Sequence, residues 1–201
     1  PSPTPLPGRV QLPAPEWEKQ DWNNCGPATL SLGLEFYGWD GDQFDISDVL
    51  KPDRGDKNVN IDELAYYVRT RAGWLSADFR VGGDLETLKR FLAAGLPVIV
   101  EKGFELNEND GGGGWAGHYL LLTGYDDSEG VFIAQDTNPG TGGVNRRVGY
   151  QQLDEGWQAF NRVFLYIYLP EQQELVDRLL GPDTDPDLNR ERAMEEARRE
   201  I

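Results

Sequence analysis

The 201-residue chain reads as an α+β protein. Apolar residues recur at helical spacing through the first half, then give way to short β-branched and aromatic runs between residues 97 and 169. Helices followed by strands, rather than the two alternating, point to a helical layer or lobe set against an antiparallel sheet. A hydrophobic fraction of 38% with 27% charged residues supplies the core such a pairing needs.

Taken in order, PSPTPLPGRVQLPAP (1–15) carries six prolines and is expected to form a stiff extended stalk with no ladder or helix. Stalks of this composition commonly tether exported domains, and a chain opening on Pro is expected to be a processed or trimmed one. The expected location is therefore outside the cytoplasm, extracellular or membrane-tethered. GPATLSLGLEFY (26–37) places Leu30, Leu34 and Tyr37 on one helical stripe, with Pro27 in the first turn, where no N–H is needed. Cys25 is thereby set at the N-terminal end of a buried helix. WDGDQFDISD (39–48) lacks the spacing and terminal Glu of a calcium loop, and reads as solvated acid with Asp45 or Ser47 capping a short helix. NIDELAYYVRTRAG repeats the helical pattern after Asn60 as cap, with Ile61, Leu64, Ala65 and Val68 on one face. DLETLKRFLAAG does so from Asp84 as cap to Gly95 as terminator.

After Gly95 the runs PVIVEKGF (97–104), GHYLLLTGY (117–125), GVFIAQD (130–136), NRRVGY (145–150) and NRVFLYIYL (161–169) read as strands. QQLDEGWQAF inserts a short helix through Leu153, Trp157 and Phe160, and Tyr66, Tyr67, Trp157 and Phe160 are expected in the core. NENDGGGGWAG (107–117) precedes no Lys and opens no helix, so it is not a phosphate loop; it is expected to form a flap over a cleft, lined by Trp115. Beyond Leu169 two helices are expected, with apolar positions Leu175 and Leu179, then Leu188, Ala193 and Ala197. The domain reading is thus a stalk (1–15), a folded domain (16–170) and a helical extension (171–201) that could open a helical array and hold a protein partner.

Formal net charge is −16, and residues 171–201 hold ten acids against five bases, so the body alone carries −11. Such a field repels phosphate backbones and anionic lipid and favours basic or neutral partners, which excludes nucleic acid. One cysteine and one histidine exclude internal disulfides, multi-thiolate zinc sites and His-rich metal clusters. The longest apolar segment, HYLLLTGY (118–125), is strand-sized rather than membrane-sized.

A lone thiol is ordinarily a small buried apolar residue. At a helix N-terminus, however, free N–H groups and the positive end of the macrodipole favour the thiolate, the nucleophilic form. The base it would need is the single imidazole, His118, at the head of a strand. An acceptor must then fix the tautomer and orientation of that ring, and Asp136 is the candidate. GHYLLLTGY and GVFIAQD are joined by DDSEG and should form an antiparallel hairpin. If facing residue numbers sum to 254 or 256, Asp136 faces His118 or Leu120 and lies on the histidine's face; an odd sum turns it away. Donors for the oxyanion formed on attack at a carbonyl would be the Cys25 N–H and the amide of Gln20, five residues upstream.

QDWNNCGPATL, GHYLLLTGYD and AQDTNPG, in that order, resemble the three blocks of the papain-like cysteine peptidase superfamily as found in the bacteriocin-processing, double-glycine peptidases (family thirty-nine of the cysteine peptidases) and their relatives. The resemblance spans roughly residues 16–170. It implies a papain-like fold with Cys25 in a helical lobe, His118 and Asp136 in a β lobe, and Gln20 as oxyanion donor. In two places the chain departs from relatives: Gln20 is one residue closer to the cysteine than in papain, and Thr137-Asn138-Pro139 follows the aspartate where relatives often have Pro directly.

The expected activity is peptide-bond hydrolysis through Cys25, His118, Asp136 and Gln20, with no metal or cofactor, on a peptide or protein of basic or neutral character. Two alternatives stay open. One is a catalytically silent peptide-binding or scaffolding module of the same fold; the other is an amide or acyl transferase, such as a deamidase, since one triad serves many acyl acceptors.

Overall fold

The computed structural model of the chain describes residues 5–106, 114–138, 140 and 142–200. Helix α1 (Cys25–Glu35) is buried at every position from Gly26 to Leu34, so it is a core helix rather than a one-sided one. Truncating Leu30 or Leu34, both at 0% exposure, would remove packing worth about 2–5 kcal/mol. Helix α2 (Gln43–Leu50) starts on Asp42, whose carboxylate accepts from the Phe44 and Asp45 N–H groups while Asp45 accepts from the Asp42 N–H. The cap is therefore Asp42, and Asp45 is its reciprocal partner inside the first turn. Ser47 lies mid-helix. Helix α3 (Ile61–Arg71) follows Asn60, whose N–H donates to Glu63 at 2.7 Å.

Seven antiparallel strands lie in the described residues, with β1 (Arg9–Gln11) and β2 (Ser76–Arg80) placed outside the half of the chain that reads as strand. Helix α4 (Leu85–Ala93) is capped by Asp84, which accepts from the Thr87 N–H at 2.6 Å, and ends before Gly95 at φ +85°. Then come β3 (Val98–Leu106), β4 (Gly114–Asp126), β5 (Val131–Asp136), β6 (Gly143–Gly149), helix α5 (Tyr150–Gln158) and β7 (Phe164–Tyr168). The sheet order is β2-β7-β3-β4-β5-β6, and β1 pairs with β4. The Pro-rich segment thus does make a ladder. Between Pro7 and Pro13 its proline-free residues pair with Gly124–Asp126, where a Cβ on Gly124 would stand 2.4 Å from the Val10 carbonyl oxygen.

The pleat divides the core in two. Ile99, Tyr119, Leu121, Leu165 and Ile167 face the cluster built with α1 and α3, whereas Val98, Val100, Leu120, Leu122, Phe164 and Tyr166 face the other side. There they meet Leu88, Phe91 and Leu92 of α4, Leu153 and Trp157 of α5, and Val176 and Leu180 of helix α6 (Gln173–Leu180). The sheet is therefore covered on both faces, a second helical layer beyond the single one expected, which is why the run from Tyr119 to Tyr125 is buried without alternation.

In α6 the buried stripe is Val176 and Leu180, with Leu175 and Leu179 only partly buried. In helix α7 (Pro186–Arg199) Leu188 is exposed and the buried residue is Asn189, whose amide donates to the Val81 carbonyl and accepts from the Val81 N–H at 2.9 and 3.1 Å. Tyr66 is exposed, because it falls on the side of α3 opposite the buried face of Ile61, Leu64, Ala65 and Val68. Of the expected flap, 107–117, residues 107–113 lie outside the described residues, while 114–117 belong to β4, where they pair with β3; Trp115 is exposed and stacks on the partly buried Phe160 at 5.1 Å. Among the described residues no helix is long and apolar enough to cross a membrane.

Candidate active site

Cys25 is the first residue of α1 and is partly exposed. The residue before it, Asn24, occupies the N-cap position but spends no side-chain bond on the helix; its Nδ2 donates to Gln43 Oε1 at 2.9 Å instead. Asn23 takes φ +55°, a left-handed conformation that Asn tolerates better than most residues, and turns the chain into the helix. With no side-chain cap on the first turn, the amides around Cys25 remain available to an incoming negative charge.

Gln43, the first residue of α2, is buried and holds this turn with four bonds. Its Oε1 accepts from the Asp21 N–H at 2.7 Å and from Asn24 Nδ2, and its Nε2 donates to Glu18 Oε2 at 2.8 Å and to the Lys19 carbonyl at 2.9 Å. Lys51 adds a bond from Nζ to the Asn23 carbonyl at 2.7 Å. On its other side the same segment is tied to the end of β5. The Trp17 Nε1–H donates to the Asp136 carbonyl at 2.8 Å, the Gln20 N–H to the Thr137 carbonyl at 2.9 Å, and the Thr137 hydroxyl to Gln20 Oε1 at 3.1 Å.

His118 stands on β4 and Asp136 ends β5. Near the turn the facing pairs of this hairpin, Tyr125 with Phe132 and Asp126 with Val131, have the odd sum that would turn Asp136 away from the histidine. A β-bulge between Leu122 and Gly124 changes that count, and beyond it Leu122 faces Ala134 and Leu121 faces Gln135, the even register expected from the sequence. Thr123, the extra residue, accepts from Gln135 Nε2 at 2.8 Å. The bulge thus puts Asp136 on the histidine's face, and His118 Nε2 lies 2.8 Å from Asp136 Oδ1.

Cys25 lies beside the same imidazole, and their neighbours touch as well. A Cβ on Gly26 would stand 3.4 Å from the Tyr119 ring, and the Tyr119 hydroxyl donates to the Val59 carbonyl at 2.9 Å. Burial opposes a charge on His118, but its bonds to Asp136 and Cys25 and the negative field of both raise its pKa to about 9. Burial also works against the Asp136 carboxylate. It is outweighed by the bond and charge of His118, the Asn138 N–H and Arg146, which hold Asp136 at about 2.

Of the four residues singled out in the sequence, the structure brings Cys25, His118 and Asp136 into one line and ties Gln20 to the residue after Asp136. Three others were not foreseen. Arg146, on β6 next to Asp136, pairs with the second carboxylate oxygen, Oδ2. Its signal, a basic residue in NRRVGY, has no meaning until β6 is known to pair with β5. Gln43 and Thr137 are the other two, and their signals lie in tertiary contacts alone. Glu101, across from Tyr119 on β3, is buried without an ion-pair partner among the described residues, and burial raises its carboxyl pKa to about 7.

A thiol at the start of a central helix, facing an imidazole held by a buried carboxylate on an antiparallel sheet, defines the papain-like cysteine peptidase fold. Solved structures share the fold. A C39-like peptidase of Bacillus anthracis superposes with a TM-score of 0.60 at 16% identity, covering 79% of this chain and 96% of its own. Xylellain, a cysteine protease of Xylella fastidiosa, gives 0.61 at 15%, covering 82% and 87%. A double glycine motif protease from an AMS/PCAT transporter, in complex with the leader peptide, gives 0.57 at 15%, covering 80% and 94%. No curated protein matches the chain significantly. The sequence matches the Peptidase_C39-like family over residues 6–164, and the chain belongs to that family of cysteine-type peptidases.

Proposed function

We propose that the protein hydrolyses peptide bonds with Cys25 as nucleophile, His118 as acid and base, Asp136 as orienting carboxylate, and Gln20 with the Cys25 N–H as oxyanion donors. The observation that carries this reading is the 2.8 Å contact from His118 Nε2 to Asp136 Oδ1 with Cys25 beside the same ring. With Nε2 given to Asp136, Nδ1 is the nitrogen left for the sulfur.

The imidazolium and thiolate form the resting pair. Sulfur attacks the scissile carbonyl carbon, a C–S bond forms, and the carbonyl oxygen takes the electron pair as an oxyanion facing the Gln20 amide and the Cys25 N–H. As the oxyanion collapses the C–N bond breaks, and His118 gives its proton to the departing amine. The neutral ring then removes a proton from water, whose oxygen forms a C–O bond to the thioester carbon; the C–S bond breaks with its electron pair returning to sulfur, the new carboxyl end departs and loses its proton to solvent, and the ion pair returns. Asp136 stays ionised throughout and holds the ring in one tautomer.

The substrate we propose is a peptide or protein of basic or neutral character, drawn by a chain of net charge −16. Because one fold neighbour is a double glycine motif protease in complex with a leader peptide, Gly-Gly sequences are the first to test. The experiment is incubation of the protein and of Cys25→Ala with internally quenched peptides, Gly-Gly sequences included, with products identified by mass spectrometry. Hydrolysis gives two fragments with a new carboxyl and a new amine, absent from Cys25→Ala. Products joined to an added amine would instead establish transfer. Rapid alkylation of Cys25 with no cleavage anywhere in the library would refute hydrolysis.

A further inference from the structure

We propose that Thr137 is a positioning residue for the oxyanion site: its hydroxyl holds the Oε1 end of the Gln20 amide so that the Nε2 end faces Cys25. The proposal rests on Gln20 acting as oxyanion donor. A glutamine amide presents a donor at one end and an acceptor at the other in nearly the same volume, and only one orientation serves a developing negative charge. Reversed, the amide would set an oxygen against the thiolate and against the oxyanion.

Thr137 is fully buried and meets Gln20 twice. Its carbonyl accepts the Gln20 backbone N–H at 2.9 Å, and its hydroxyl donates to Gln20 Oε1 at 3.1 Å. The segment is held by bonds that do not use this hydroxyl: Gln43 bonds to its backbone at Lys19 and Asp21 and to its side chains at Glu18 and Asn24, Lys51 bonds to the Asn23 carbonyl, and Trp17 donates to the Asp136 carbonyl. The hydroxyl therefore has one task left, the orientation of the amide. No other side chain among the described residues bonds to Oε1 of Gln20.

The test compares two small reagents that need no knowledge of the natural substrate. With 4-nitrophenyl acetate the thiolate attacks the acetyl carbon, a C–S bond forms, and 4-nitrophenolate leaves with the C–O electron pair after an oxyanion has formed. With iodoacetamide the thiolate displaces iodide at a saturated carbon, and no oxyanion arises. The ratio of the two rate constants therefore isolates oxyanion stabilisation from thiolate reactivity.

Gln20→Ala is expected to lower the ratio by about 10²-fold, the loss of a whole donor. Thr137→Val is expected to lower it by about tenfold, the effect of one lost hydrogen bond. Thr137→Ser, which keeps the hydroxyl, should stay within about twofold of the parent. Placed on Gln20→Ala, Thr137→Val should change nothing further, because its effect passes through an amide no longer there.

An unchanged ratio in Thr137→Val, or an equal fall on the Gln20→Ala background, overturns the positioning role. An unchanged ratio in Gln20→Ala overturns the donor reading and the positioning role with it. Slow alkylation in the parent protein would instead strike at the nucleophile itself.

Discussion

Replacing Asp136 with Asn tests the charge state of the site most directly. An ordinary imidazole titrates near 6.5, and His118 titrates at about 9 although the ring is buried. That difference corresponds to roughly 3 kcal/mol in favour of the charged ring. Since burial alone would push the value down, the whole gain comes from Asp136 and Cys25. An asparagine keeps the shape but loses the charge, so the ring should titrate roughly 2 pH units lower.

His118 must carry a proton to release the amine, so kcat/KM of the parent should fall on the alkaline side near pH 9. In Asp136→Asn that limb should move toward pH 7, with a loss of roughly 10²- to 10⁴-fold at the optimum. Stability follows the same sign. The folded-state pKa of His118 is raised, so its contribution is complete below about 6.5 and is lost as pH rises through about 9. The gap in unfolding free energy between parent and variant should therefore be wide at pH 6 and narrow by pH 10, as read from urea unfolding. A variant whose alkaline limb stays near 9 would show that Asp136 does not set the charge of the ring, and the proposed triad would lose its third member.

Two further outcomes follow from packing. Arg146→Met removes one of the charged partners of Asp136 and should cost about 1–3 kcal/mol in urea unfolding at pH 7. The Asp136 pKa is depressed, so this difference should persist above about 4 and vanish as pH falls through about 2; a difference independent of pH would refute the pairing. Gly124→Ala sets a Cβ against the Val10 carbonyl oxygen and should cost about 1–3 kcal/mol while freeing β1. Hydrogen exchange should then show lost protection at the Leu12 N–H, which donates to Thr123, and at the Asp127 N–H, which donates to Gly8. Unchanged protection at both would mean that β1 does not depend on that close approach.

Helices α3 and α4 were legible because a cap and a repeating apolar face coincide in each, and α1 because Pro27 suits its first turn and Leu30 and Leu34 recur at helical spacing. Cys25, His118 and Asp136 were legible because helix starts and strand parity limit where those side chains can point. β1 was hidden by the prolines around it. β2 was hidden by its sequence, SADFR, in which only Ala77 and Arg80 are buried and no apolar alternation shows. In α6 the run LVDRLL carries two possible stripes one residue apart, and packing against the sheet chose between them. Arg146, Gln43 and Thr137 act only across elements distant in sequence, where single-chain patterns have nothing to register. Asn189 shows the converse: a polar residue is buried because a strand end needs both of its amide groups.

The bulge at Thr123 gives β4 something like a reading frame. On the turn side of it the hairpin counts one way, and on the His118 side it counts the other, so the loop that joins the strands is insulated from the end where the chemistry lies. Lengthening Asp127–Gly130 changes only the loop, whereas one residue gained or lost between His118 and Leu122 exchanges the inside of the strand for its outside and sends the imidazole away from its carboxylate.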